Sequence, residues 1–436
     1  MSSSFPAQVG TESPRRRRAW WYALGVAAVL GVGAFAGMPY VRGWYHWRAA
    51  EQALAQRDLE TARSHLTKCL LDWPGSSATH LLAARTARRA LAFAEAEEHL
   101  RQCERLEGDA TPETTLEQAL LEAQRSELTP KQERYFRDLL QQGDPNGLYI
   151  LEVLTSECMR RDRYLDVQRL LERWLELRPD DPEALVRRGW VAERFFDYGE
   201  ACRNYEKALT QEPQRDGVRL RLAEALLESG RALDAREQLE MLRQKQPGDG
   251  IVLVKLARCD LKLGNVEQAR ELVDGVLARD PDNVEALIER GQLAFQASEI
   301  KEAERWWRKA EKHARFDRQI VFNLAQVLER LGKKDEQKPY RARLKAIDDD
   351  LKRMRELFQE LLKKPHDAEV RYQIGMIFLR NEQTKEAARW FATALEEDKL
   401  HRPTHEALID YYERIGDKKR ADVHRQILQN LARPGK

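Results

Sequence analysis

The segment LVRRGWVAERFFDYGEACRNYEKALTQEP, residues 185–213, contains the pattern that decides the fold. Gly189 is followed twelve residues later by Ala201, and Tyr205 and Ala208 follow Ala201 at offsets of four and seven. Such offsets place side chains on one face of a helix. Pro213 ends that helix, because proline has no amide hydrogen and its ring clashes with the preceding turn. We therefore predict two short helices paired as a hairpin, with small residues where the helices approach each other.

The same pattern recurs every 34 residues. The small position of the second helix is occupied in turn by Val167, Ala201, Ala235, Ala269 and Ala303. The small position of the first helix is occupied by Gly189, Ala223, Ala257 and Gly291, and the proline that follows each hairpin recurs as Pro179, Pro213, Pro247 and Pro281. A fixed period of this length is typical of a solenoid, in which each hairpin buries its apolar face against the next one.

This pattern resembles the tetratricopeptide repeat (TPR) family, whose signature is W-x2-L-G-x2-Y…A-x3-F…P at a period of 34. The resemblance is clearest in Leu185, Gly189, Ala201, Tyr205 and Pro213, and it extends from about Gly43 to Leu431. It implies an all-α fold: a right-handed α-solenoid of about eleven TPR-like hairpins.

Two segments depart from the period. Residues 109–147 keep two helical segments but lose the small positions, which indicates a degraded repeat. Over residues 336–365 the apolar positions alternate at three and four residues until Pro365, which predicts one long amphipathic helix. That helix either packs along the solenoid or forms a coiled-coil or dimer contact. The remaining repeats divide into residues 43–108, 148–335 and 366–431, followed by a tail at 432–436.

Residues 19–41 form an uncharged apolar segment with aromatic residues at both ends. A helix of about 20 residues spans the hydrocarbon core of a bilayer, and Trp and Tyr prefer its two interfaces. We therefore predict a transmembrane helix that acts as a signal anchor, preceded by a disordered basic tail at residues 1–18. Four arginines at residues 15–18 favour a cytoplasmic N-terminus. The solenoid is then extracytoplasmic, which means periplasmic in a bacterium.

A cleaved signal peptide is the alternative interpretation of this segment. Ala34, Phe35 and Ala36 fit the small-x-small pattern of a cleavage site, and cleavage near Ala36 would give a secreted protein. The apolar run continues beyond Ala36, which favours the uncleaved anchor.

Composition and motifs argue against several functional classes. Lys and Arg number 74 against 72 Asp and Glu, so the chain has no strongly basic footprint for nucleic acid. The five cysteines form no CxxC pair, which predicts small buried residues with no disulfide or zinc role. His401 and His405 are separated by Pro403 and share no helical face, so we predict no metal site. No catalytic or phosphate-binding motif is present, and we predict no enzyme, no cofactor and no small-molecule substrate.

The resemblance also implies a binding surface. In this family the first helix of each hairpin lines a concave face that commonly holds an extended peptide or a partner helix. In this chain the candidate positions, hairpin by hairpin, are Val186, Trp190 and Arg194, then Leu220, Glu224 and Leu227, then Val254, Arg258 and Leu261, then Ile288, Gln292 and Phe295. Trp190 is either a hot spot for a partner or a packing residue between repeats.

The function that follows is protein binding. The first hypothesis is a membrane-tethered scaffold or adaptor for partner proteins on the extracytoplasmic side. The alternative is an envelope assembly chaperone with transient clients, comparable to membrane-anchored repeat proteins of cytochrome maturation, outer-membrane assembly or polysaccharide export.

Overall fold

A computed structural model describes residues 38–126 and 128–431 of the chain. The disordered tail predicted at 1–18, most of the transmembrane segment predicted at 19–41 and the tail at 432–436 lie outside the described residues. Within the described ranges, none of the helices has the length and apolar character needed to cross a membrane. All regular secondary structure of these ranges is helical.

The helices follow one another in eleven consecutive pairs, in agreement with the expected number of hairpins. Hairpins 1 to 3 consist of α1 (38–55), α2 (Leu59–Asp72), α3 (Ser77–Arg89), α4 (Phe93–Glu107), α5 (Pro112–Arg125) and α6 (Pro130–Gln142). Hairpins 4 to 7 consist of α7 (Gly147–Arg160), α8 (Tyr164–Leu177), α9 (Pro182–Arg194), α10 (Tyr198–Gln211), α11 (Asp216–Glu228), α12 (Ala232–Lys245), α13 (Gly250–Leu263) and α14 (Val266–Arg279). Hairpins 8 to 11 consist of α15 (Val284–Gln296), α16 (Ile300–Glu311), α17 (Arg318–Arg330), α18 (Lys334–Lys363), α19 (Ala368–Arg380), α20 (Thr384–Glu397), α21 (Arg402–Arg414) and α22 (Lys418–Leu431).

The chain forms two compact units, Met1–Val153 and Leu154–Lys436, and the division falls within α7. The N-terminal unit contains hairpins 1 to 3, and the C-terminal unit contains hairpins 5 to 11.

The predicted small positions are the places where paired helices touch. A Cβ atom added to Gly189 would lie 2.6 Å from the ring of Tyr205 on the partner helix. A Cβ at Gly291 would clash in the same way with Trp307, whose indole Nε1 donates to the carbonyl oxygen of Ile288 at 3.0 Å. The large ring of the second helix therefore rests directly on the backbone of the first helix. This contact sets the distance within the hairpin.

Four of the first helices, α9, α13, α15 and α17, begin at acidic or amide N-cap residues. The side chains of Asp181, Asp249, Asn283 and Asp317 each accept hydrogen bonds from backbone amides of the first turn. These bonds satisfy donors that would otherwise lack partners at the start of the helix. Because the caps lie 34 or 68 residues apart, each of these first helices starts at the same point of its hairpin.

The long helix predicted at 336–365 is the 30-residue α18, Lys334–Lys363. Tyr340 and Ile347 in its first half pack in a core cluster with residues of α15 to α17. Met354 and Phe358 in its second half pack in a second cluster with residues of α19 and α20. The apolar stripe of α18 is covered by the chain itself, which favours packing along the solenoid over a coiled-coil contact.

The C-terminal unit closes on itself through residues about 200 positions apart in the sequence. The ring centroid of Tyr164, on α8, lies 6.0 Å from that of Phe358 and 6.4 Å from that of Trp390. Next to these rings, Asp162 is 1% exposed and its carboxylate lies 3.1 Å from Nε of Arg389. We name Asp162, Tyr164, Phe358, Arg389 and Trp390 the closing contact.

Burial disfavours the charged form of Asp162 in the closing contact. Burial raises the pKa of Asp162, and the hydrogen bond donated by the Tyr164 hydroxyl and the charge of Arg389 oppose this rise. Arg371, which is also buried, donates to the carbonyl oxygen of Arg161 at 3.3 Å. A buried carboxylate of this kind depends on its cation, because an uncompensated charge in a protein interior is costly.

Replacing Gly291 with alanine should destabilise the C-terminal unit by about 2 kcal/mol, because the new methyl group must displace the Trp307 ring. Gly217→Ala is the matched control: Gly217 lies in helix α11 with no atom near the position of a Cβ, and alanine there is expected to be neutral or slightly stabilising. Urea unfolding followed by far-UV circular dichroism measures both. Equal stability of the two variants would contradict this account of the small position.

Replacing Arg389 with alanine should destabilise the protein by about 2 kcal/mol at pH 7.5, because it leaves the Asp162 carboxylate buried without its cation. The loss should shrink toward pH 5. Since the pKa of Asp162 is raised in the folded state, the folded protein takes up this proton more readily than the unfolded chain.

Arg420→Ala is the control for this experiment, because Arg420 pairs with Asp417 on an exposed surface and its loss should cost less than about 0.5 kcal/mol. The free energy of unfolding in urea is measured for both variants at each pH. A loss for Arg389→Ala that does not change with pH would disprove the role given to Asp162.

Candidate functional site

A groove with a volume of 960 Å³ is lined by the first helices of four successive hairpins, α11, α13, α15 and α17. We name it the central groove. Six of the residues predicted from the sequence line it: Leu227, Arg258, Leu261, Ile288, Gln292 and Phe295. The second helices contribute no lining residue. The expectation that first helices supply the accessible face therefore agrees with the geometry of these four hairpins.

The lining residues form rows with a spacing of 34. Leu227, Leu261 and Phe295 form one row. Further rows are Arg258, Gln292 and Gln326, then Glu228, Lys262 and Gln296, then Ile288 and Phe322. Residues one period apart occupy the same place on successive first helices, so each row crosses the groove from one helix to the next. The groove is a direct product of the repeat.

Several charged residues of the groove are paired with residues of neighbouring first helices. Nε of Arg258 donates to Glu289 at 2.7 Å, across the contact between α13 and α15. Lys255, which is buried, lies 2.9 Å from Glu224 and 3.5 Å from Glu285 and so connects three first helices. These pairs bring neighbouring hairpins together, and the groove lining as a whole combines four acidic with three basic side chains.

Burial dominates the electrostatics of the Arg258–Glu289 pair. It raises the pKa of Glu289, and the charge and hydrogen bond of Arg258 act in the opposite direction. The pKa of Arg258 is raised in spite of its own burial, because the carboxylate of Glu289 stabilises the guanidinium cation. Arg258 is thus held in place by Glu289. It forms part of the groove wall, and its charge is already neutralised by this carboxylate.

Five side-chain amides supply most of the uncharged polar groups of the groove. They are Gln292, Gln296, Gln319, Asn323 and Gln326. Asn323 is 2% exposed, and its Oδ1 accepts a hydrogen bond from Nε2 of Gln319 at 3.0 Å. Among the residues that the structure describes, Nδ2 of Asn323 has no hydrogen-bond partner. Leaving such a donor unsatisfied costs about 1–3 kcal/mol, which an acceptor atom in the groove would recover.

Apolar surface in the groove is supplied mainly by aromatic and leucine side chains. Phe322 is 39% exposed, an unusual state for a phenylalanine. Phe295 is half-buried: its ring lies 5.6 Å from that of Trp307, and the guanidinium of Arg330 lies 4.2 Å from its centroid. Phe322 therefore offers free area for a ligand, whereas Phe295 is held from both sides.

The other predicted surface residues are not all free. Trp190 packs in the aromatic cluster of the closing contact, with its ring 6.1 Å from Tyr164 and the guanidinium of Arg194 4.7 Å from its own centroid. This packing favours the second alternative, in which Trp190 is a packing residue. Tyr164 belongs to the preceding hairpin, whereas the same cluster also contains Met354 and Phe358 of α18, which are distant in the sequence.

Three further predicted residues are engaged within the core. Val254 is 1% exposed and belongs to a buried cluster with Ala257 and Val273, so it offers no surface. Val186 and Leu220 are half-buried and pack against the core of hairpins 5 to 7. In these hairpins, part of the helix face predicted to bind a partner is instead buried in the contacts between hairpins.

The residues predicted from the sequence end in hairpin 8, whereas the central groove extends to α17 of hairpin 9. Gln319, Phe322, Asn323 and Gln326 of α17 line the central groove but were not predicted. The signal was present: Phe322 lies 34 residues after Ile288, and Gln326 lies 34 after Gln292. The irregular spacing that follows hairpin 8 concealed the continuation of these rows.

Cysteine thiols and clusters of metal-binding side chains are two further kinds of potentially reactive group. The five cysteines are buried and form no disulfide with one another, and burial raises the pKa of Cys259 to about 12, so its thiol stays protonated near neutral pH. Over residues 38–126 and 128–431, no three or more His, Cys, Asp or Glu side chains come together as a metal site would require.

Two parts of the chain match family models. Residues 195–252 and residues 254–317 each match a model described as a tetratricopeptide repeat. Together they include most of hairpins 5 to 8 and hence three of the four first helices of the central groove.

Among curated proteins, the chain is 24% identical over 152 residues to the protein CTR9 homolog of Arabidopsis thaliana, which covers 35% of this chain and 14% of that protein. It is 34% identical over 85 residues to cellulose synthase operon protein C of Xanthomonas axonopodis pv. citri (strain 306), which covers 20% of this chain and 6% of that protein. The chain thus spans only a small part of the length of either relative. A solved structure of MamA from Desulfovibrio magneticus RS-1 is 21% identical, with a TM-score of 0.35, and the match covers 38% of this chain and 93% of that one.

Proposed function

We propose that this chain, a tetratricopeptide-repeat protein, is a scaffold whose central groove binds an extended segment of a partner protein. The observation that carries the proposal is Asn323, a residue of the groove lining whose buried Nδ2 has no hydrogen-bond partner among the described residues. A peptide carbonyl oxygen is an acceptor that fits this donor. The four other amides can bond to further backbone groups of a chain laid across the first helices.

The dimensions of the groove suit a short extended segment. Packed helices lie about 8–10 Å apart, so a path across four first helices is about 27 Å long. An extended chain advances about 3.3 Å per residue, and about eight residues span this path. Because acidic and basic side chains nearly balance in the groove, we expect a segment without a dense charge cluster, with one large apolar side chain against Phe322.

We further propose that the chain is tethered to a membrane by residues 19–41, with the repeats on the extracytoplasmic side. The uncharged segment and the arginines at 15–18 support this proposal. The first described turn of α1 also exposes large apolar side chains: Met38 is 66% exposed, Tyr40 71% and Val41 66%. Side chains of this kind are favourable at a lipid interface.

Site-specific photo-crosslinking tests the groove. Benzoylphenylalanine placed at Phe322 or Gln296, both on groove helices, should yield adducts with a partner protein in the native host cells. The same probe at Glu271, which is exposed on the second helix α14, is the control and should yield none. Adding Asn323→Ala should reduce the adducts about fivefold, the effect of losing one hydrogen bond in a buried site.

The pattern of adducts decides between the functions. One dominant partner at a fixed ratio supports the scaffold, and many clients at low ratios indicate the assembly chaperone. Equal yields from Glu271 and the two groove positions would contradict binding in the central groove.

Fractionation and protease protection test the tether. The full-length chain should stay in membranes after extraction with alkaline carbonate, and a variant lacking residues 19–41 should not. Protease added to the extracytoplasmic face should degrade the repeats without lysis of the cell. Degradation only after lysis would contradict the orientation, and a mature chain starting near Gly37 would show that the segment is cleaved.

A further inference from the structure

Histidine side chains form close pairs that play no part in the central groove. In each pair the two Nδ1 atoms lie within hydrogen-bond distance, and the two residues are 19 positions apart, on the two helices of one hairpin. The pairs are His46 with His65 at 2.9 Å, His80 with His99 at 3.1 Å, and His405 with His424 at 2.8 Å. They lie in hairpins 1, 2 and 11, which are the first two and the last hairpin of the described residues.

The same two positions carry a polar pair of another kind in hairpin 6. There Arg219 donates to Gln238 at 2.7 Å, again across a separation of 19 residues. Arg219 also donates to the carbonyl oxygen of Pro213, six residues earlier. His80 makes the equivalent bond to Pro74 at 3.2 Å. Arg219 and His80, on the first helix of their hairpins, therefore each bond both to the loop before the hairpin and to the second helix.

In two of the pairs a bond to the loop fixes which ring nitrogen of the first histidine carries the proton. Nε2 of His80 faces a carbonyl oxygen, which can only accept, so Nε2 carries hydrogen. In neutral His80, Nδ1 is then the acceptor, and Nδ1 of His99 donates to it. The same argument applies to His405, whose Nε2 donates to the carbonyl oxygen of Lys399 at 3.0 Å.

The pair responds differently to a first and a second added proton. The first proton can bind at Nε2 of His99, and its Nδ1–H still donates to His80. A second proton must bind at Nδ1 of His80. Two N–H groups and two positive charges then face each other at a distance of 3.1 Å, and the hydrogen bond is lost.

We propose that the three histidine pairs are acid-sensitive latches, which hold hairpins 1, 2 and 11 closed with at most one added proton and release them when a second proton binds. The hairpins of the central groove have no such pair. The corresponding positions are Leu253 with Leu272 in hairpin 7 and Leu287 with Trp306 in hairpin 8. Acidification therefore loosens the first two and the last hairpin and leaves the groove intact. The inference does not depend on the proposed function of the groove.

The surroundings of the His80–His99 pair favour release by acid. Burial lowers the pKa of His99, and the charge of His80 lowers it further. Glu95 and Glu98 on the same helix act in the opposite direction. Glu95 is itself engaged by Arg63 of the preceding hairpin at 2.5 Å, which reduces its effect on the imidazole.

The His46–His65 pair shows the same balance. Burial lowers the pKa of His46 most, followed by the charges of His65 and Lys68. Asp72 has the opposite effect, but it is bound by Arg42, whose positive charge again disfavours protonation.

In the last hairpin, burial and the charge of His405 lower the pKa of His424. The ring of Tyr412 stacks on His424 at 5.7 Å, and the guanidinium of Arg420 lies 5.6 Å from the Tyr412 centroid. A histidine with a lowered pKa in the folded state stabilises the fold above the ordinary pKa of about 6.5, and this contribution is lost as pH falls through the lower folded value.

Amide hydrogen exchange of the full-length chain in detergent micelles tests the latches. Between pH 7.5 and pH 5.0, after correction for the intrinsic exchange rate, exchange in α3 and α4 should rise at least tenfold. Exchange in α13 and α14, which carry Leu253 and Leu272 at the equivalent positions, should change less than twofold.

The chain itself supplies the control variant. His80→Arg combined with His99→Gln copies the pair Arg219 and Gln238 into hairpin 2, and it should remove the acid-induced rise in that hairpin alone. A rise that persists in this variant, or a wild-type chain whose exchange rises equally in all hairpins, would overturn the proposal.

Titration of the histidine side chains by nuclear magnetic resonance tests the same proposal without substitutions. Each pair should show two separated macroscopic pKa values, the lower one coinciding with the onset of faster exchange. A single shared value near 6.5 for both members of each pair would also overturn the proposal.

Discussion

The structure depends on the contact between a large ring on one helix and the bare backbone of its partner. Where Trp307 lies against Gly291, or Tyr205 against Gly189, no side chain separates the helices, and their spacing is fixed. A hairpin of fixed spacing can be repeated with a constant step. The rows of the central groove follow from this constancy, because residues 34 positions apart come to occupy equivalent places on neighbouring first helices.

The residues at the groove have two roles: ion pairs hold the first helices together, and uncharged side chains are available to contact a ligand. Arg258 with Glu289, and Lys255 with its two glutamates, join adjacent first helices and so maintain the shape of the groove. The amides and Phe322 remain for contact with a ligand. A surface of this kind discriminates by backbone geometry and apolar fit, and its binding should depend only weakly on ionic strength.

The sequence predicted the features that the 34-residue period controls. The helical pairs, the small positions of Gly189 and Gly291 and half of the candidate groove residues all follow from it. It left the role of Trp190 open, because the cluster against which this ring packs includes α18 residues about 170 positions away, and no local pattern records a cluster of that range. The histidine pairs were missed for another reason: the comparison of His401 with His405 considered neighbours along the chain, whereas the relevant spacing of 19 joins two helices.

The closing contact has a consequence for how the C-terminal unit comes apart. A linear array of repeats frays from its ends, since a terminal repeat has one neighbour and an internal repeat has two. In this unit the beginning of α8 contacts α18 and α20, so hairpin 4 is held by hairpins 9 and 10 as well as by hairpin 5 and loses the freedom of a terminus. Hairpins 4 to 10 should therefore unfold in a single concerted transition and not one after another. Hairpin 11 lies beyond the closing contact and is the one hairpin of the unit able to unfold separately.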